Sequence, residues 1–232
     1  MDWFTIVRYV FLKKIYCPKT DLMNCCLDKM IQVILKKFKD MEKELFENAK
    51  NIERFRSEYL PEKIQLLLVG EAPPDASDRF FYYPNVKTND WLFIAILKAF
   101  IGKNAYQKYI EFRKDNDVSD KKTRFLNELK NRGIYLIDLS SFPAGKITPE
   151  SQKDTFLKSL EKLVKNGNMD KDTPIILIKK SVYECLYKEL ITNKYCVLNQ
   201  GVIPFPSCGQ QTNFNEKFLD ILKKNKISTV LK

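Results

Sequence analysis

The chain has 232 residues, of which 44% are apolar and 30% charged, with only 7 glycines and 10 prolines; this excludes collagenous and linker-rich classes and sets disorder aside. Forty Lys and Arg against 29 Asp and Glu leave a formal charge of +11, which favours polyanionic partners, nucleic acid first and an acidic membrane surface second. Histidine is absent, so the commonest metal ligand and the usual general base near neutral pH are missing, and chemistry falls to carboxylates, lysine, hydroxyls, thiols or backbone dipoles.

The first residues, Met1 to Ile15, are apolar but interrupted by Asp2, Arg8, Lys13 and Lys14. The stretch is too short to span a bilayer and no small-residue cleavage site follows it. Six cysteines form no C-x-x-C pair, which fits a reduced, cytoplasmic setting without a disulfide framework. No metal site and no cofactor are expected.

From Leu27 to Tyr59 apolar residues recur at helical spacing (Ile31, Ile34, Phe38, Met41, Leu45, Ile52, Phe55) with charges between them, predicting one long amphipathic helix or two in line until Pro61. Residues 1–60 therefore read as an N-terminal helical extension packed on a core of residues 61–232, and as contributing no catalytic group. Ile64 to Gly70 is a short apolar run ending in glycine, the pattern of a buried parallel strand. Three similar runs follow at Ile134 to Leu139, Pro174 to Ile178 and Tyr195 to Leu198. Helical segments separate them: Trp91 through Ile101, one within Tyr106 to Arg132, one opening at Thr148-Pro149, and capping boxes at Ser181 to Glu184 and Asn213 to Glu216.

Fourfold alternation of strand and helix predicts an α/β domain with a four-stranded parallel sheet in three α/β/α layers. Ligands of such sheets bind beyond the carboxyl ends of the strands. The first, second and fourth of those loops are rich in Pro, Gly, Ser, Gln and aromatics, and function is to be sought there.

Leu66-Leu67-Leu68-Val69-Gly70-Glu71-Ala72-Pro73-Pro74, followed by Arg79-Phe80-Phe81-Tyr82, resembles the first motif of the uracil-DNA glycosylase superfamily, in the G-E-x-P-G form of its iron–sulfur branch. Tyr135 to Asp138 leading into Phe142 to Glu150 is similar to that family's second strand, proline-bearing loop and helix start. Pro204-Phe205-Pro206-Ser207 stands where the family has His-Pro-Ser. The resemblance covers roughly Lys63 to Leu222, and implies strand order 2-1-3-4, a nucleic-acid partner (DNA foremost) and hydrolysis of an N-glycosidic bond. Carried over to this chain, it implies Glu71 and Asp138 as the catalytic candidates, with Glu71 the water-activating or cation-stabilising carboxylate. Phe80 or Phe81 would stack on the base, and Gly70, Asp138, Phe205 and Ser207 would line the base site.

The departures leave two outcomes, a glycosylase for a base other than uracil or a catalytically degenerate descendant that binds without cutting. Phe205 replaces the histidine that stabilises charge on the departing base and cannot donate a hydrogen bond. The loop Ser140 to Lys146 lacks the cysteine that an iron–sulfur cluster needs. Asp138 falls where relatives read uracil with asparagine. An ionised Asp offers only acceptors, which suit an exocyclic amine and repel uracil O4.

Blander readings stand beside these. Glu71 can instead cap a following helix or pair with Arg79, and the phenylalanines can anchor the loop in the core. Lys146, Gly209, Gln210 and Gln211 can contact phosphate or a base edge, or form an ordinary polar loop. The alternative function is a doubly wound domain binding a nucleotide or other small phosphorylated ligand, with the basic surface incidental.

Overall fold

The computed structural model describes residues 21–74, 80–84, 90–102, 104, 107–109, 111, 119–143 and 148–228. The segment 1–20, Arg79 and Lys146 lie outside them. The elements are α1 (Asp21–Glu58), β1 (Leu66–Gly70), α2 (Trp91–Phe100), α3 (Ser119–Asn131), β2 (Ile134–Asp138), α4 (Pro149–Lys165), β3 (Ile175–Leu177), α5 (Lys180–Thr192) and α6 (Gln211–Lys224). Two compact units divide the chain, Met1–Phe46 and Glu47–Lys232. The division falls inside α1 and not at its end, so the last turns of the helix belong to the unit that carries the sheet.

The sheet is parallel, in the order β2-β1-β3. Gly70 pairs with Asp138 at one end of the register and Leu66 with Ile134 at the other; Leu67 to Val69 pair with Ile175 to Leu177. Every residue of β1 and β3 is buried. This accounts for their continuous apolar sequences, since a strand covered on both faces has no solvent side to alternate with. At the β2 edge the Tyr82 hydroxyl accepts from Leu136 N at 2.7 Å and donates to Leu136 O at 3.1 Å, satisfying backbone groups that would otherwise be orphaned.

Beyond β3 the segment Tyr195 to Leu198 does not form a regular strand. It makes one isolated parallel bridge, Val197 with Ile175, and Ile203 makes a second with Ile178. Between them the buried side chain of Asn199 accepts from Leu177 N at 2.9 Å and donates to Leu177 O at 3.1 Å. A side-chain amide thus takes the place of a fourth strand's peptide at that rung.

The helices follow from local chemistry. α2 is apolar almost all round and buried, and the Asp90 carboxylate caps it by accepting from Phe93 N at 3.3 Å. α4 starts as its sequence predicts, with Thr148 at the N-cap and Pro149 in the first turn. α5 and α6 do not. α5 is capped by Lys179 and α6 by Gln210, so Ser181 and Asn213 both lie inside their helices. α3 packs on β2 and α5 on β3, while α4 meets α5 and α2 meets α6. Gly133, at φ +69°, turns the chain from α3 into β2. A Cβ there would stand 2.6 Å from Gln65 Cγ and 2.9 Å from Lys63 O, a conformation and a space that only glycine satisfies.

No helix among the described residues is long and apolar enough to cross a membrane.

Candidate functional site

A cavity of about 760 Å³ opens at the carboxyl ends of the strands, lined by Gly70, Glu71, Phe80, Phe81, Asp138, Phe205 and Ser207 together with Ala72 to Pro74, Asp90 to Leu92, Leu136 and Lys179. Three separated motif segments therefore converge on one space. Backbone bonds draw them together. Leu139 N donates to Gly70 O and Ser140 N to Glu71 O, each at 2.9 Å, so the loops after β1 and β2 leave the sheet side by side. Lys179 N donates to Ile203 O at 2.8 Å, which fixes the fourth loop beside the third, and Ser207 N donates to Phe205 O at 2.8 Å within the fourth.

Glu71 is held from the junction of β3 and α5, the third of the strand-end segments (179–181). Lys179 Nζ and Ser181 Oγ each donate to one of its carboxylate oxygens. Burial raises the carboxyl's pKa, but the two hydrogen bonds and the ammonium charge outweigh it and bring the net value below the ordinary glutamate range. Glu71 is thus ionised near neutral pH. Lys179 has a positive φ of 85° with ψ 146°, a region that favours glycine, which marks local strain at the site. The Ser181 hydroxyl, expected as a cap for its own helix, is spent on Glu71 instead. This third loop had no role in the sequence reading.

Asp138 is held from behind by Arg56. Nη2 of Arg56 lies 2.7 Å from Asp138 Oδ2, with 5% and 8% of the two side chains exposed. Burial pushes the Asp138 carboxyl up, opposed by the charge and hydrogen bond of Arg56. Glu53 takes the other guanidinium nitrogen at 2.7 Å and the guanidinium carbon lies 5.7 Å from the Phe80 ring centroid. The buried Arg56 Nε has no partner among the described residues. Residues 1–60 were expected to supply no catalytic group; the last turn of α1 supplies the counter-charge of a site carboxylate, a role its amphipathic pattern does not announce. Gly70 completes the arrangement: a Cβ there would stand 2.5 Å from Asp138 Oδ1, so only glycine lets the carboxylate lie against β1.

The aromatic residues divide into two kinds. Phe80 and Phe81 are buried, and both belong to the core while contributing to the cavity wall. Phe81 meets Tyr82 and Phe93 edge-to-face at 4.9 and 5.4 Å. The rings that keep accessible surface in the cavity are Phe205, 37% exposed, and the half-buried Trp91. Trp91 was overlooked as a site residue because it opens a helix that reads as wholly core. Its neighbour Asp90 pairs with the fully buried Lys122 at 2.6 Å, and Lys122 Nζ stands 4.5 Å from the Phe93 ring centroid.

Gly209, Gln210 and Gln211 are not brought to the cavity. They form the turn into α6, where Gly209 N donates to Gln211 Oε1 at 3.1 Å and Gln210 Oε1 accepts from Asn213 at 3.2 Å. Lys146 lies outside the described residues. Among the described residues no group of three or more His, Cys, Asp or Glu is placed to hold a metal ion. Compared with protein-family models, curated proteins and solved structures, the chain matches none.

Proposed function

We propose that the chain is a uracil-DNA glycosylase-like nucleic-acid-binding protein that takes one extruded base into this cavity and prefers a base bearing an exocyclic amine to uracil. The observation that supports it is the convergence of Gly70, Glu71, Asp138, Phe205 and Ser207 on a single cavity beyond the strand ends. Its volume lies within the range of about 300–1,000 Å³ usual for small-molecule pockets. In this reading the bridged segment 195–198 counts as a fourth strand in the order 2-1-3-4, with helices layered on both sides of the sheet.

Each wall then has a role. Trp91 and Phe205 present rings for stacking. Asp138, with Oδ2 bonded to Arg56, offers its other carboxyl oxygen to the amine of the base. Glu71 places negative charge where an N-glycosidic bond would develop a cationic sugar. Lys179 is the cation among the described lining residues; its ammonium carries three donors, of which Glu71 engages one. Uracil release is not expected, because Phe205 offers no donor to the departing base and loss of such a donor costs about 10²–10³ in rate.

The alternative, a small phosphorylated ligand, has less support. Its natural seat would be the N-terminus of α5, and the Glu71 carboxylate already lies against Lys179 and Ser181 there.

The test is a salt titration of single- and double-stranded DNA binding, beside alkaline cleavage of a uracil-containing strand after incubation. Binding that weakens steeply with salt, persists in Glu71→Ala and brings no uracil release is expected. Absence of binding, or efficient uracil release, overturns the reading.

A further inference from the structure

Behind the wall of the main cavity lies a second one of about 310 Å³ that no motif of the sequence points to. The two share Pro74 and Phe80, so they are neighbours across a single ring and a single loop residue. The last turns of α1 form one side of the second cavity, and Tyr83 and Pro143 from the loops after β1 and β2 form the other. Its chemistry differs from that of the first. Phe55 and Tyr83, both partly exposed, meet edge-to-face at 5.3 Å. The Arg54 guanidinium carbon lies 5.0 Å from the Phe55 ring centroid. Asn48 and Asn51, one turn apart on the same helix and exposed, add amide donors and acceptors.

We propose that this second cavity is a subsite for the nucleotide next to the extruded base on the same strand. The inference rests on the nucleic-acid reading of the main cavity and extends it. Aromatic faces, a cation and amides in one cleft are the combination by which proteins hold successive nucleotides of a single strand: bases stack on rings, and phosphates meet arginine. Tyr83 and Phe55 supply the rings, Arg54 the charge, and Asn48 and Asn51 the base-edge contacts. Because Phe80 and Pro74 form a wall common to both cavities, adjacent nucleotides of one strand would take one cavity each. Stacking tolerates any base, so this subsite adds affinity and strand register while the main cavity reads identity.

The experiment measures the anisotropy of a fluorescein-labelled, mixed-sequence single-stranded DNA 12-mer across a salt series, with the unaltered protein and with Tyr83→Ala, Tyr83→Phe and Arg54→Gln. Tyr83→Ala is expected to weaken binding about tenfold, the effect of one lost stacking contact, and Tyr83→Phe to retain it. Arg54→Gln, at an exposed position, is expected to flatten the slope of log affinity against log salt by about 0.7, the loss of one phosphate contact on a single strand. If the unaltered protein binds and both Tyr83→Ala and Arg54→Gln match it in affinity and slope, the subsite is refuted while the main cavity's assignment stands. If the unaltered protein binds no DNA, the nucleic-acid reading fails and the subsite with it.

Discussion

The Arg56 guanidinium and the Asp138 carboxylate, 82 residues apart in the chain, meet at 2.7 Å with almost no exposure to solvent. One comes from the last turn of α1, the other from the end of β2. The pair ties the helix to the carboxyl edge of the sheet, where the cavity opens. It also sets the chemistry of Asp138, whose burial alone would favour the protonated form.

Arg56→Met leaves Asp138 buried without its partner, and should cost about 3–5 kcal/mol of stability, the usual effect of breaking a buried ion pair on one side. Lys50→Met, which breaks the exposed Lys50–Glu47 pair on the same helix, should cost less than about 1 kcal/mol. Urea unfolding of both variants checks the contrast, and similar losses in the two would refute it.

Gly70→Ala tests the close approach of β1 to Asp138. The added methyl would stand 2.5 Å from Asp138 Oδ1, so the carboxylate or the strand end must shift, at a cost of about 1–3 kcal/mol. A variant as stable as the unaltered protein would show that the carboxylate moves aside freely.

Acid titration separates the two site carboxylates. The net pKa of Glu71 lies below the ordinary glutamate value of 4.5, so its ionised form stabilises the fold above that value, and the contribution is lost as pH falls through the folded value. Asp138 runs the other way. Burial raises it above the ordinary aspartate value of 3.8, so acidification between its raised folded value and 3.8 favours the folded state. Glu71→Gln removes only the first effect. Its stability should converge on that of the unaltered protein as pH falls from above 4.5, and parallel profiles would contradict the assignment.

Trp91→Ala should leave the fold intact and weaken DNA binding by about 1–3 kcal/mol, as loss of a stacking face does. Phe80→Ala should instead cost about 3–5 kcal/mol of stability, since Phe80 is a core residue. The opposite pattern would exchange the two roles.

Much of this was legible in sequence, and the gaps have physical causes. β1 and β3 announce themselves because strands buried on both faces must be apolar throughout. Gly70 and Asp138 could be placed at strand ends, and so near a common site. A fourth strand was expected at Tyr195 to Leu198, where only isolated bridges form; the asparagine side chain that imitates a peptide beside it leaves no periodic signal. Arg56 reads as one more charge on the polar face of an amphipathic helix, and its partner is visible only once the helix has docked on β2. Lys179 caps α5 and Ser181 lies in its first turn, and neither composition nor periodicity marks them; their role depends on a positive φ at Lys179, a conformation that favours glycine. The phenylalanines after β1 were marked for stacking, while the accessible ring beside them belongs to Trp91.

The most direct measurement compares the affinity of the unaltered protein for two DNA duplexes, identical except that one carries a single unpaired cytosine and the other a single unpaired uracil. These bases differ where Asp138 would read them, an exocyclic amine in one and a carbonyl oxygen in the other. The cytosine duplex should bind more tightly, and Asp138→Asn, with its fold verified by melting, should remove or reverse the preference. Equal affinities, or tighter binding of uracil by the unaltered protein, would contradict the account of the cavity.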